Sequence, residues 1–342
     1  MAYYFLSKNY KELNSAGNKA KTDIETILSS IGYKPSGLKS TNHHNAIIGF
    51  LVTLVCVIKT FFCVSRNDIL VIQYPFKKYY TLVCKVVTWK RGRIITLIHD
   101  LGSFRRKKLS VEQEIRRLSN TDVLIAHNEK MKAWLVENGF TKPIVCLEIF
   151  DYLSGRTGNE RKEMGEKTNR VTYAGGLSSR KNDFIYKLDK VMTSWNLILY
   201  GNGFDETLIQ NKMAYEYKGF LPSDELIEKV QAHFGLVWDG DSIHTCSGNF
   251  GEYLRLNNPH KTSLYIRCLL PIIIWDEAAL SSFVSENGIG IAVSSLEELN
   301  ELLESMTKEE YLELKRNVLE ISKRIAEGYY LKKAIKQAQE HL

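Results

Sequence analysis

The run Asn257–Tyr265, NNPHKTSLY, combines most of what is needed to hold a diphosphate. Asn258 is a good N-cap and Pro259 suits a first helical position, so the pattern predicts a helix over residues 259–268. Its first turn carries His260, Lys261, Thr262 and Ser263. Backbone N–H groups and the positive end of the helix dipole converge there, worth about 0.3–1 kcal/mol to an anion. Lys261 adds a charge and the hydroxyls add donors. An ordinary well-capped helix has the same first turn, so this segment alone leaves both readings open. Two glycine loops support the anion reading. In AGGLSSR, Gly175 and Gly176 let a ligand approach the backbone, and Arg180 can pair with a phosphate, a contact worth about 1.5–3 kcal/mol. The GNG beginning at Gly201 is a similar, weaker signal. Asp239-Gly-Asp241 is a D-x-D, a spacing that can hold a divalent cation. With Lys261 and Arg180 present to neutralise phosphate, a hydrogen-bonding role for both aspartates is favoured and no metal is expected.

A second candidate lies in the other half. His99 and Asp100 close the apolar run RIITLIH-D, and a strand-end carboxylate or imidazole can take a proton from an attacking hydroxyl. Asp100 is the candidate base and His99 the alternative; a capping role for Asp100 is the plain competing reading. TCSG at 245–248 lacks the G-x-S-x-G of a nucleophile elbow and reads as a loop.

The elements that must position these residues form two α/β halves. Apolar strand-like runs at 3–6, 68–73, 93–99, 123–126 and 144–147 alternate with helical stretches at 19–31, 111–118 and 129–138. After a polar, glycine-bearing segment the logic repeats, with strands at 171–174, 197–200, 234–238 and 271–275 and helices at 223–230 and beyond 295. Such alternation predicts parallel sheets covered on both faces, with ligands at the carboxyl ends of the strands. The predicted organisation is an N-terminal domain 1–153, a linker 154–169, a second domain 170–325 and a helix 326–342 packing back on the first domain. Two doubly wound domains facing a central cleft would put the site in that cleft.

Composition agrees with a globular chain: 342 residues, 44% hydrophobic and 25% charged. The net charge of +7 is uneven: residues 1–150 carry 23 Lys/Arg and 11 Asp/Glu, residues 151–342 carry 23 and 28. Basic clusters at Lys77–Lys78, Lys90–Arg93, Arg105–Lys108 and Arg116–Arg117 suggest a face toward an anionic partner. No nucleic-acid motif accompanies them, so a membrane surface is favoured over nucleic acid. Ala46–Val64 is nearly all apolar but interrupted by Lys59. It is predicted to be a core or interfacial helix rather than a span. MAYYFLSKNY does not read as a secretory signal, and six cysteines without a C-x-x-C pair read as reduced thiols, which together predict a cytoplasmic protein, peripheral on the inner membrane face.

The run GLVWDGDSIHTCSGNFGEYLRLNNPHKTSLY, followed by PIIIWDEAAL, resembles bacterial β-1,6-galactofuranosyltransferases of O-antigen and capsule assembly. YFLSKNY, LIHDLGSFR, IAHNEKM, IFDY and YAGGLSSRK are similar to the same family, and a wider relative is the streptococcal glucosyltransferase 3 that extends sugars on serine-rich adhesins. The resemblance implies a GT-B fold of two Rossmann-like domains and a UDP-sugar donor, with galactofuranose the implied sugar and a glycan or lipid-linked glycan the implied acceptor. By the resemblance, Arg180, Tyr200 and Asn258–Ser263 fall at donor-binding positions, and Ser15-Ala16-Gly17 falls where the first domain reaches the donor. The wider relative differs at Ala16. A homo-oligomer and a membrane-surface contact are further expected partners. The leading expectation is an inverting, metal-independent transfer. UDP-glucose or UDP-galactopyranose as donor, and a non-catalytic partner protein of the same fold, are the alternatives.

Overall fold

A computed structural model describes residues 1–10, 16–76, 79–105, 109–158 and 170–342; the side chains of residues 16, 17 and 105 are not described. The chain divides into two compact units, Met1–Asp151 with Gly328–Leu342, and Tyr152–Glu327.

The first unit runs β1 (Tyr3–Phe5), α1 (Ala16–Ser30), β2 (Lys34–Pro35), α2 (Ala46–Cys63), β3 (Ile69–Tyr74), α3 (Tyr80–Trp89), β4 (Arg93–Ile98), α4 (Gly102–Arg105), α5 (Val111–Leu118), β5 (Val123–Ala126), α6 (Glu129–Glu137) and β6 (Ile144–Cys146). The strands form one sheet in the order β2-β1-β3-β4-β5-β6, parallel at every pairing. Every residue of β3 and β5 is buried, as a sheet covered on both faces requires.

The second unit runs β7 (Arg170–Ala174), α7 (Ser179–Asn182), β8 (Asn196–Tyr200), β9 (Tyr215–Tyr217), α8 (Ser223–Lys229), β10 (Phe234–Val237), α9 (Gly248–Gly251), α10 (His260–Arg267), β11 (Ile272–Trp275), α11 (Ser281–Glu286), β12 (Gly290–Val293), α12 (Leu299–Ser305) and α13 (Lys308–Ala326). Its sheet has the order β12-β11-β10-β7-β8-β9, again parallel. After β7 the chain adds β8 and β9 on one side, then crosses back to lay down β10, β11 and β12 on the other. The reversal opens a crevice at the carboxyl ends of β7 and β10, the position at which doubly wound sheets bind ligands.

The last helix, α14 (Tyr329–Glu340), belongs to the first unit and packs on α1, β5 and β6. Asp151 fixes its start, Oδ1 accepting from Tyr330 N at 3.2 Å and Oδ2 from Leu331 N at 2.7 Å. The expected linker is different at its beginning. Residues 154–158 pack on the second unit, where Arg267 Nη2 donates to the Arg156 carbonyl at 2.8 Å and Arg156 pairs with Glu228. Residues 159–169 lie outside the described residues.

Candidate donor-binding site

The Gly175–Gly176 loop leaves β7 at the crevice and is held from several sides. Gly175 N donates to the Tyr200 carbonyl at 2.9 Å, Ala174 N to the Tyr265 hydroxyl at 2.8 Å, and Asn182 Nδ2 to the Gly176 carbonyl at 2.6 Å. The loop stays exposed although the strand before it is buried. Gly201, at the end of β8, has φ 143°, and a Cβ there would stand 1.8 Å from the Gly175 carbonyl oxygen. Only glycine lets the two strand-end loops lie this close. Tyr200 is buried, which raises its hydroxyl pKa, and it serves the loop through its backbone. Arg180 is exposed on α7, and Lys181 beside it places its ammonium 5.1 Å from the Phe250 ring centroid.

Lys261 and Asp239 form the charged centre. Lys261 Nζ lies 2.9 Å from Asp239 Oδ1, and their side chains are 14% and 12% exposed. The Tyr173 hydroxyl donates to the same carboxylate oxygen at 2.8 Å and accepts from Lys261 Nζ at 2.9 Å. The ammonium also lies 4.2 Å from the Tyr173 ring centroid. Burial pushes the Asp239 carboxyl up, but Lys261, Lys181 and the Tyr173 hydroxyl outweigh it and leave it below the usual carboxylate range. Burial pulls the Lys261 ammonium below the usual lysine range, and Asp239 opposes it. From sequence, Lys261 and Asp239 each point to a ligand; in the structure they hold one another, because a lone charge at a buried strand end costs several kcal/mol, on the order of the penalty per buried ion.

Asp241 is placed apart from this centre. It is exposed and accepts a hydrogen bond from the Ser247 hydroxyl. The D-x-D thus has one carboxylate neutralised inside and one on the surface loop. Among the described residues, no group of three or more His, Cys, Asp or Glu side chains could hold a metal ion. Cys246 is buried, and burial drives its thiol well above the usual range, against a nucleophilic thiolate.

The helix that carries Lys261 begins one residue later than its sequence predicts. Pro259 is the N-cap, extended at φ −67° and ψ 127°, and His260 is the first helical residue. Asn258 is therefore outside the cap position and buried, and Pro259, as the cap, offers no side-chain hydrogen bond to the first turn. At α8 the helix begins at Ser223, as predicted, with Pro222 as its cap. The His260 ring stacks on Tyr152 at 4.8 Å, Thr262 and Ser263 are buried, and the Thr262 hydroxyl has no hydrogen-bond partner among the described residues. Lys261 and Tyr265, one turn apart on the same face, tie the start of α10 to β10 and β7 respectively, through the Trp238 carbonyl at 3.4 Å and the Ala174 amide. Tyr173, Lys181 and Tyr265 are absent from the sequence prediction. An apolar strand and a helix interior give no signal that their tyrosines turn polar atoms toward a site.

In the first unit, His99 and Asp100 follow β4 and are half-buried. His99 Nε2 is 2.7 Å from Gln73 Oε1, and the ring stacks on Phe150 at 5.5 Å. Buried His127, at the end of β5, donates from Nε2 to the Ile98 carbonyl at 3.0 Å; burial lowers its pKa to about 4, with Asp100 opposing. Gln73, His127 and Phe150 thus fix this strand-end cluster, and none is prominent in the sequence. Ser15 lies outside the described residues. Ala16 and Gly17, expected in a loop, are backbone members of the first turn of α1.

Two family descriptions match the chain, "Glucosyltransferase 3-like, N-terminal domain" over residues 3–149 and "Glucosyltransferase 3-like, C-terminal domain" over residues 171–338. The chain is 34% identical to β-1,6-galactofuranosyltransferase WbbI of Escherichia coli strain K12 over 343 residues, covering 99% of each chain. It is 23% identical to glucosyltransferase 3 of Streptococcus gordonii, covering 80% of this chain and 79% of that one. The lipopolysaccharide outer core galactosyltransferase WaaB, in its apo form, superposes with a TM-score of 0.58 at 12% identity, covering 98% and 99% of the two chains. Matched at both halves and along its full length, the chain belongs to the glucosyltransferase 3-like family of glycosyltransferases, built on the GT-B fold.

Proposed function

We propose that the protein transfers galactofuranose from UDP-galactofuranose to a sugar hydroxyl of a glycan or lipid-linked glycan in cell-surface polysaccharide synthesis, with inversion and without a metal, in the cytoplasm. The carrying observation is the meeting, at the β7–β10 crevice, of the Gly175–Gly176 loop, the start of α10 and the Lys261 ammonium. In this reading the diphosphate lies over the glycine loop and the first turn of α10, with Arg180, Lys181 and Lys261 balancing the charge that develops on UDP. As a new bond forms between the acceptor oxygen and C1 of the sugar, the bond from C1 to the diphosphate oxygen breaks and UDP leaves. Asp100 takes the acceptor proton, with His99 the alternative base. The choice of galactofuranose rests on the 34% identity to WbbI.

The match to glucosyltransferase 3-like descriptions favours a second reading in which the donor is UDP-glucose. Donor competition separates the two: turnover with UDP-galactofuranose that UDP-glucose does not inhibit supports the first, and turnover with UDP-glucose alone overturns it. Lys261→Ala is expected to lower kcat/KM by about 100-fold or more. Unimpaired transfer by that variant removes Lys261 from the reaction. Activity that survives exhaustive chelation is expected; activity lost to EDTA and restored by Mg²⁺ or Mn²⁺ overturns the metal-free mechanism.

A further inference from the structure

The surface of the first unit carries a feature that donor chemistry does not use. Helix α2 buries only Gly49, Cys56, Val57 and Thr60, spaced to form one narrow face. Gly37 allows that face to dock: a Cβ on Gly37 would meet the Cα of Cys56 at 2.7 Å, and Ser36 Oγ lies 2.7 Å from Thr60 Oγ1. On the outer side, Ile47, Leu51, Val55, Ile58 and Phe62 follow at helical spacing and are all exposed, Ile47 to 70% and Phe62 to 81%. Leu82 and Trp89 are exposed on α3, which packs beside α2, and Trp89 is 82% exposed. The outer face of a water-exposed helix is ordinarily polar. Here the one charged residue of the helix is Lys59.

The segment that carries the stripe is almost wholly positive in its charges. Between residues 33 and 92 the sequence has nine Lys/Arg and one acid, Asp68. Asp68 is buried, accepting from Ala2 N and Ser65 N, so it does not offset them. Lys59, Arg66, Lys85 and Arg91 are exposed. Both helix ends also find partners within the chain. The Asn45 side chain accepts from Ile47 N and Ile48 N, and Lys90 Nζ donates to the carbonyls of Phe61 and Val64. A helix so terminated strands fewer backbone groups when it leaves water.

The topology excludes a span. β2, before α2, and β3, after it, are the two neighbours of β1 in one sheet. Both ends of α2 are therefore anchored on the same body, and the helix lies along its surface.

We propose that α2 and α3 form a docking surface for an anionic lipid bilayer, the α2 stripe and Trp89 entering the boundary between headgroups and acyl chains while Lys59, Arg66, Lys85 and Arg91 meet the anionic headgroups. Apolar contact alone would fit a second copy of the chain equally well. The uncompensated positive charge around the stripe disfavours that occupant, because two copies would bring like charges together, and favours an acidic membrane.

The test is sedimentation of the full chain with vesicles of pure phosphatidylcholine and with vesicles containing phosphatidylglycerol. Binding to the anionic vesicles at least tenfold stronger than to the neutral ones is expected, weakening with salt. I58D/F62D, both at exposed positions, is expected to lose binding at least tenfold with unchanged circular dichroism. K59E/K85E is expected to lose the preference for anionic vesicles. Equal binding to both vesicle types, or none, overturns the proposal. So does a concentration-dependent dimer in sedimentation velocity that I58D/F62D dissociates without any vesicle binding. Should I58D/F62D misfold, Trp89→Phe decides: the blue shift of tryptophan emission on anionic vesicles is expected to disappear in that variant, and its persistence overturns the placement of Trp89.

Discussion

The Lys261–Asp239 pair is buried, charged and hydrogen-bonded through Tyr173. Removing one member leaves the other charged and uncompensated, a loss of about 3–5 kcal/mol. Lys261→Met is therefore expected to speed amide hydrogen exchange in β7 and β10, and Asp239→Asn in the same background to recover most of the protection. Wild-type exchange in Lys261→Met would mean that the strand ends are held by something else. Glu25 is a second buried carboxyl, bonded by the hydroxyls of Ser7 at 2.8 Å and Tyr10 at 2.5 Å, and burial raises it to about 7 despite those bonds. A carboxyl raised on folding contributes most below its unfolded value near 4.5 and loses that contribution as the pH rises through about 7. Buried His127, lowered to about 4, acts in the opposite sense, its contribution falling as pH drops below 6.5. The readout is thus a difference: relative to wild type, Glu25→Gln is expected to gain melting temperature between pH 5 and pH 8. A gap that does not change with pH would remove Glu25 as the source.

At the scale of elements, the contact between the ends of β7 and β8 depends on Gly201. Gly201→Ala drives a methyl into the Gly175 carbonyl and is expected to cost about 1–3 kcal/mol or more and to weaken UDP binding by calorimetry at least tenfold. UDP binding as tight as wild type would show that the loop can move aside freely. The long apolar strands are legible in the sequence because a doubly covered parallel strand is an unbroken apolar run; residues 123–126 and 111–118 are predicted with the bounds the structure has. Other elements carry no such mark. β2 has two residues and β9 reads YEY, and both form strands only because a neighbour offers an edge. The run Tyr80–Trp89 is rich in valine and lacks a side-chain cap, so its helix α3 comes from packing rather than propensity. In the site, residue types and strand-end glycines point to the β7–β10 crevice from sequence. The pairing of Lys261 with Asp239 does not, because which charge neutralises which is decided by how α10 packs against the end of β10.

For the molecule as a whole, α14 completes the first unit after the chain has built the second. Leu331, Ala334, Ile335 and Ala338 are buried there, and Gln339 Nε2 donates to the Tyr33 hydroxyl at 2.9 Å. Deletion of residues 328–342 is expected to expose β5, β6 and α1 to proteolysis while the second unit remains a protected fragment. Equal protease resistance in both units would show that the first unit stands without α14.

That arrangement has a consequence for synthesis. The ribosome makes the strands of the first unit early but the helix that covers β5 and β6 only after the second unit, so the second unit, contiguous in sequence, can close while the first still waits with that part of its sheet uncovered. The half of the protein that is translated first is the half that matures last, and a stalled or truncated nascent chain would present it to chaperones and proteases unfinished.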